Sequence, residues 1–86
     1  MRRAVYDMLS FQNTCDAIMA EKLLEGYLPV CTMPTLRQVS ASCGISLRIE
    51  VGDEETFLAL ADRGVYAIHP STLYRVGESV SVVREF

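Results

Sequence analysis

Residues 40–44 of this 86-residue chain read Ser-Ala-Ser-Cys-Gly, and the thiol in that run has the widest scope for chemistry. A cysteine acts as a nucleophile through its thiolate, so access and nearby positive charge set its reactivity. Cys43 is preceded by Ser40 and Ser42 and followed by Gly44. The glycine removes side-chain bulk where another molecule must approach, and it permits backbone turns closed to other residues. Arg37 lies six residues upstream and Arg48 five downstream. Either guanidinium, brought near the sulfur, would favour the thiolate relative to a free thiol of pKa about 8.5. The competing reading makes Cys43 a small buried hydrophobe at the start of a strand, as free cysteines often are. The small, polar composition of the loop favours exposure.

The other candidates are poorer. Cys15 falls in the first turn of a predicted helix, where unpaired amides stabilise an anion, but Asp16 is adjacent and no basic residue or glycine accompanies it. Cys31 alternates with Val30 and Thr32 in a predicted strand, which predicts a packed, inert side chain. His69 is the single histidine and precedes Pro70, so it reads as a turn residue and leaves a nucleophilic triad short of a base. Three cysteines, none in a Cys-x-x-Cys pair, fit neither a disulfide framework nor a zinc knuckle, and no metal site is expected. The acidic run Asp53-Glu54-Glu55 is fully explained as a helix start.

The elements that must position the thiol follow from periodicity. Residues 5–11 mix aromatic, aliphatic and polar positions as a first strand does. Asn13 and Thr14 supply an N-cap and Gly26 a stop, enclosing a helix. Its Ala17, Ala20, Leu23, Leu24 and Tyr27 share one face, and Ile18 falls on the polar side without a structural reason. Residues 28–33, bounded by Pro29 and Pro34, read as an edge strand. Residues 35–44 read as a loop with one helical turn, and Ile45, Leu47, Ile49 and Val51 then alternate with polar residues as a strand. A second helix begins at the acidic run, with Phe57, Leu60 and Ala61 as its apolar stripe and Gly64 at its end. Residues 65–68 read as a fourth strand, and residues 73–76 and 80–83 as a hairpin or loose tail about Gly77-Glu78. The order β-α-β-β-α-β is that of an α+β, ferredoxin-like split βαβ sandwich. Its helix-free face, bearing Tyr6, Met8 and Ile68, needs a cover, either the tail or a second copy in a homodimer.

Composition bounds the rest. At 9.6 kDa the chain forms one domain over residues 1–86, with a core at about 4–69 and a C-terminal extension at 70–86. Half the residues are hydrophobic and 22% charged, as in a packed globular domain. A net charge of -3 gives no footprint for nucleic acid or an anionic membrane, and Arg2-Arg3 is too short for a basic tail. No apolar run approaches the roughly 20 residues of a membrane span and no signal peptide is evident, so a cytoplasmic protein is expected.

The string from Met33 to Ile49, with its Pro34-Thr35-Leu36-Arg37 and Cys43-Gly44, resembles a family of small bacterial domains, the selenium/sulfur (Se/S) carrier protein-like family. Phe11, Thr14, Ala17 and Glu21-Lys22-Leu23-Leu24 resemble its opening strand and helix, so the resemblance covers roughly residues 6–65. Leu36 stands where that family usually has a second proline, which loosens the loop and leaves Arg37, Cys43 and Gly44 in place. The resemblance implies a carrier more than a turnover enzyme. In it Cys43 accepts a sulfane sulfur or selenium from a donor such as a cysteine desulfurase, holds it as a persulfide or selenosulfide, and passes it to an acceptor protein. Arg37 and Arg48 would bias the charge, Gly44 would admit the partner, Ser40 and Ser42 would donate hydrogen bonds, and no cofactor is required. Two alternatives remain open: a non-catalytic interaction module with a structural Cys43, and a small-ligand regulatory domain that holds an anion in the Ser/Gly loop.

Overall fold

The computed structural model describes residues 5–39 and 44–86; Ser40, Ser42 and Cys43 lie outside the described residues. The elements in chain order are β1 (Tyr6–Phe11), α1 (Thr14–Leu24), β2 (Val30–Pro34), β3 (Ile45–Glu50), a 3-10 turn (Val51–Asp53), α2 (Glu54–Asp62), β4 (Ser71–Val76) and β5 (Val80–Glu85). The five strands form one sheet in the order β2-β3-β1-β4-β5, every pair antiparallel. The protein is therefore α+β. The strands joined through α1 flank β3, and those joined through α2 flank β1.

The alternation of each strand decides what the sheet buries. Leu9, Leu47, Ile49 and Leu73 meet Ala20 and Leu24 of α1 and Phe57 and Leu60 of α2 in a single core. The cap at Asn13 is made, its Oδ1 accepting from the Asp16 amide at 2.9 Å. Ala17, Ala20 and Leu24 are buried while Ile18 is exposed, as the helical period requires; Tyr27, beyond the helix, is exposed instead of joining that face. Asp53 occupies the N-cap position of α2 but makes no side-chain cap bond.

The expected strand at residues 65–68 is not formed. Gly64 takes a φ of 80°, and the amides of Val65 and Tyr66 both donate to the Leu60 carbonyl, so the chain stays folded onto the end of α2. Tyr66 and Ile68 are buried nonetheless. The Tyr66 ring packs edge-to-face against Phe57 at 4.9 Å and Phe86 at 5.4 Å. The Ser71 hydroxyl donates to the Ile68 carbonyl, so Tyr66 OH must be the donor in its 2.7 Å bond to Ser71 Oγ. Burial pushes the Tyr66 hydroxyl up to about 12. The fourth strand is β4, which pairs with β1 along its whole length, and residues 77–79 turn it into the β4–β5 hairpin.

Residues 70–86 form strands of the sheet itself and do not fold back over its helix-free face. Met8 and Ser46 on that face are fully buried. The turn at residues 36–39 stands against Tyr74, Val76 and Val82 across a groove, and Thr35 Oγ1 lies 2.6 Å from Ser46 Oγ. Residues 35–39, the described first half of the β2–β3 connection, thus stand over this face of the sheet.

Candidate functional site

That loop is closed at its base. Pro34 and Ile45 are paired across β2 and β3, and the Thr35 amide donates to the Gly44 carbonyl at 2.9 Å. Beside the closure is a cavity of about 310 Å³, bounded by Phe11 at the end of β1, Asn13 and Thr14 at the start of α1, Thr35 and Gly44, and Tyr74 of β4. A side-chain carbon on Gly44 would stand 3.4 Å from Thr35 Oγ1, so a methyl group fits there and a long side chain would meet the cavity. Gly44 and Ile45 also border a second, apolar cleft with Met33 and Pro34. Gly44 is therefore the rim between a polar cavity and an apolar one.

Arg37 is exposed in the turn and has no ion pair or hydrogen bond among the described residues. Arg48 is differently placed. Its Nε donates to Glu50 Oε2 at 2.7 Å and its guanidinium lies 4.3 Å from the centre of the Tyr6 ring. Glu50 is the main reason that the Arg48 pKa is raised. Four residues of strand, about 13 Å, separate Arg48 from Gly44 along β3. The residues facing Arg48 across the sheet are Cys31 on β2 and Met8 on β1. Cys31 is exposed on the edge strand, contrary to its expected packing, because the alternation turns it away from the helices. Cys15 is also exposed, one residue from the cavity-lining Thr14. The residues that sequence reasoning missed are those of the β1–α1 joint, Gln12, Asn13 and Thr14, which line the cavity. Their one local signal was the polar run at Asn13, and capping explained it completely.

A separate charged cluster lies elsewhere along β1. Asp7 is fully buried; its Oδ1 accepts from Arg75 Nε at 2.5 Å and its Oδ2 has no partner. Arg75 Nη2 also donates to Glu54 at the start of α2. Burial, reinforced by Glu54, pushes the Asp7 carboxyl up to about 6 against the opposing pull of Arg75. Contact with Asp7 first, and with Arg75 as well, lowers Glu54. Among the described residues no group of three His, Cys, Asp or Glu is placed to hold a metal. No described helix is long and apolar enough to cross a membrane.

Residues 6–75 match the family described as "Putative Se/S carrier protein-like". The chain belongs to this family. The match runs through β1, both helices and most of β4, and so takes in the cavity and the whole β2–β3 loop. No curated protein and no solved structure matches the chain. The family description names selenium or sulfur as cargo and assigns no residue, donor or acceptor.

Proposed function

We propose that this Se/S carrier-like protein holds its cargo on Cys43. The observation that carries the reading is the closed base of the β2–β3 loop. Gly44, the residue bonded to Cys43, is fixed by the Thr35 amide and opens on a cavity. In the loading step the Cys43 thiolate attacks the sulfane sulfur of a donor persulfide, such as that of a cysteine desulfurase. The donor's S–S bond breaks, its electron pair leaves with the donor thiolate, and a new S–S bond forms on Cys43. One S–S bond replaces another, so no oxidant, metal or cofactor is consumed. Arg37, a cation with no partner among the described residues, supplies the positive charge that favours the thiolate. Gly44 leaves room for the partner, and Ser40 and Ser42 are the hydroxyl donors to the anion. Arg48, already engaged by Glu50 and Tyr6, has the lesser part.

A cytoplasmic setting, where thiols stay reduced, suits this chemistry. The two interleaved strand-helix-strand units support a ferredoxin-like plan with β5 added at the edge. The test is loading by a cysteine desulfurase with free cysteine, read as a gain of one sulfur atom on each cysteine-containing peptide by mass spectrometry. Gain on the Cys43 peptide is expected, with at least a tenfold loss in Cys43→Ser. Equal loading of Cys15 or Cys31, or an unchanged Cys43→Ser, would overturn the assignment.

A further inference from the structure

Arg75 serves two carboxylates at once. Its Nε donates to Asp7 Oδ1 at 2.5 Å and its Nη2 to Glu54 Oε2. A guanidinium often grips both oxygens of one carboxylate; here the fork draws together oxygens from two, one on the central strand β1 and one at the start of α2. The Asp7 and Glu54 side chains are also within hydrogen-bonding reach of each other. Ionised carboxylates only accept, so a bond between these two requires a proton. Charge agrees with that requirement. With both ionised, one cation faces two anions around a side chain that is fully buried; one proton makes the cluster neutral. Asp7 is the group that carries it, since Asp7 is sealed from water while Glu54 is partly exposed at a helix N-terminus that favours negative charge. Asp7 Oδ2, which no donor reaches, is the oxygen free to hold it. Among the described residues, the charged groups acting on Asp7 are Arg75 from β4 and Glu54 from α2. β3 places Ile49 opposite Asp7, and the neighbouring Glu50 falls on the other face with Arg48. α1 buries only Ala17, Ala20 and Leu24 against the sheet.

We infer that Asp7, Glu54 and Arg75 form a proton-operated tether between the sheet and α2: one proton held between the two carboxyls keeps Glu54 on Arg75, and its loss to water releases Glu54 to solvent. Asp7 is the fixed member, because β1 is paired with β3 on one side and β4 on the other. Glu54 is the member that can move, as the first residue of α2 after a 3-10 turn. Once Asp7 is ionised, it keeps Arg75 Nε and its like charge expels Glu54. Phe57 and Leu60 remain in the core, so the change is confined to the first turn of the helix. Burial together with Glu54 pushes the Asp7 carboxyl up to about 6, which places the change near that pH.

The experiment follows the full chain by NMR between pH 4.5 and 8, reading the side-chain carboxyl carbons of Asp7 and Glu54 and the nuclear Overhauser effects between the Arg75 and Glu54 side chains. The two carboxyl carbons should shift together in one step near pH 6, and the Arg75–Glu54 effects should be lost across it. Asp7→Asn places an NH₂ where the proton would be and donates to Glu54 at every pH, so it should keep those effects throughout. Glu54→Gln, at a partly exposed position outside the core, should move the Asp7 step lower by about half a pH unit or more, because it removes the like charge. It also decides the question if Asp7→Asn does not fold. An Asp7 step below pH 5, a step unmoved in Glu54→Gln, Arg75–Glu54 effects present in the wild type at both ends of the range, or effects lost equally in Asp7→Asn would each overturn the inference.

Discussion

Asp7→Asn should flatten the dependence of folding stability on pH between about 4 and 7. The side chain is fully buried, one carboxyl oxygen has no partner, and the carboxyl is pushed up from 3.8 to about 6. A folded-state pKa above the unfolded one means that the native protein takes up a proton which the unfolded chain does not hold. The stabilisation is complete below the unfolded pKa of 3.8 and is lost as the pH rises through about 6. At about 1.4 kcal/mol per unit, a displacement of roughly two units corresponds to about 3 kcal/mol between pH 4 and pH 7.5. Glu54 is shifted the other way, so its contribution is present above its unfolded pKa of 4.5 and is lost at lower pH, outside most of this window. Asparagine keeps the oxygen that accepts from Arg75 and carries no charge at any pH. Urea denaturation followed by circular dichroism at half-unit steps from pH 4.5 to 8 reads Asp7, together with its effect on Glu54, in the difference between the two proteins. The wild type should lose stability relative to Asp7→Asn as the pH rises. If instead that difference is flat, or the wild type gains on the variant at high pH, then the Arg75 pairing outweighs burial and Asp7 is ionised at neutrality.

Two further predictions test the elements that frame the cavity and the core. Asn13→Ala removes the acceptor for the Asp16 amide and should cost about 1 kcal/mol in denaturant titration, with no change in helix content near neutrality. Phe57→Ala removes a fully buried ring that touches Tyr66 and Phe86, and should cost about 3–5 kcal/mol with a clear fall in thermal midpoint. A smaller loss at Phe57 than at Asn13 would place the core elsewhere.

Much of the fold was legible where local rules act alone. The Asn13 cap with the Ala17, Ala20 and Leu24 stripe, and the alternation along β3, each reflect a chemical preference within a few residues of chain. The hairpin about residues 77–79 was one of two readings that Gly77-Glu78 left open, and the β4–β5 pairing decides for it. The failures fall where distant contacts decide. Residues 65–68 carry the apolar pattern of a strand, but β1 has one free neighbouring position and β4 fills it through six paired residues. Tyr66 keeps its burial by packing between Phe57 and Phe86 without joining the sheet. Cys31 was misplaced through the same gap. Period two states that it opposes Val30 and Thr32, but which of the two sides meets the helices depends on pairing with β3.

β1 divides its contacts between a charged cluster at one end and the cavity at the other. Asp7 ties the strand through Arg75 to the start of α2, while Ser10 and Phe11 reach the cavity beside Gly44. The charged cluster and the cavity share no residue, and the cavity lining contributes no side chain to the core except the partly buried Phe11. Substitutions at Gln12, Thr14 or Val39 can therefore reshape the cavity at little cost to folding, because these side chains lie outside the core, whereas changes at Leu9 or Leu47 strike the core directly.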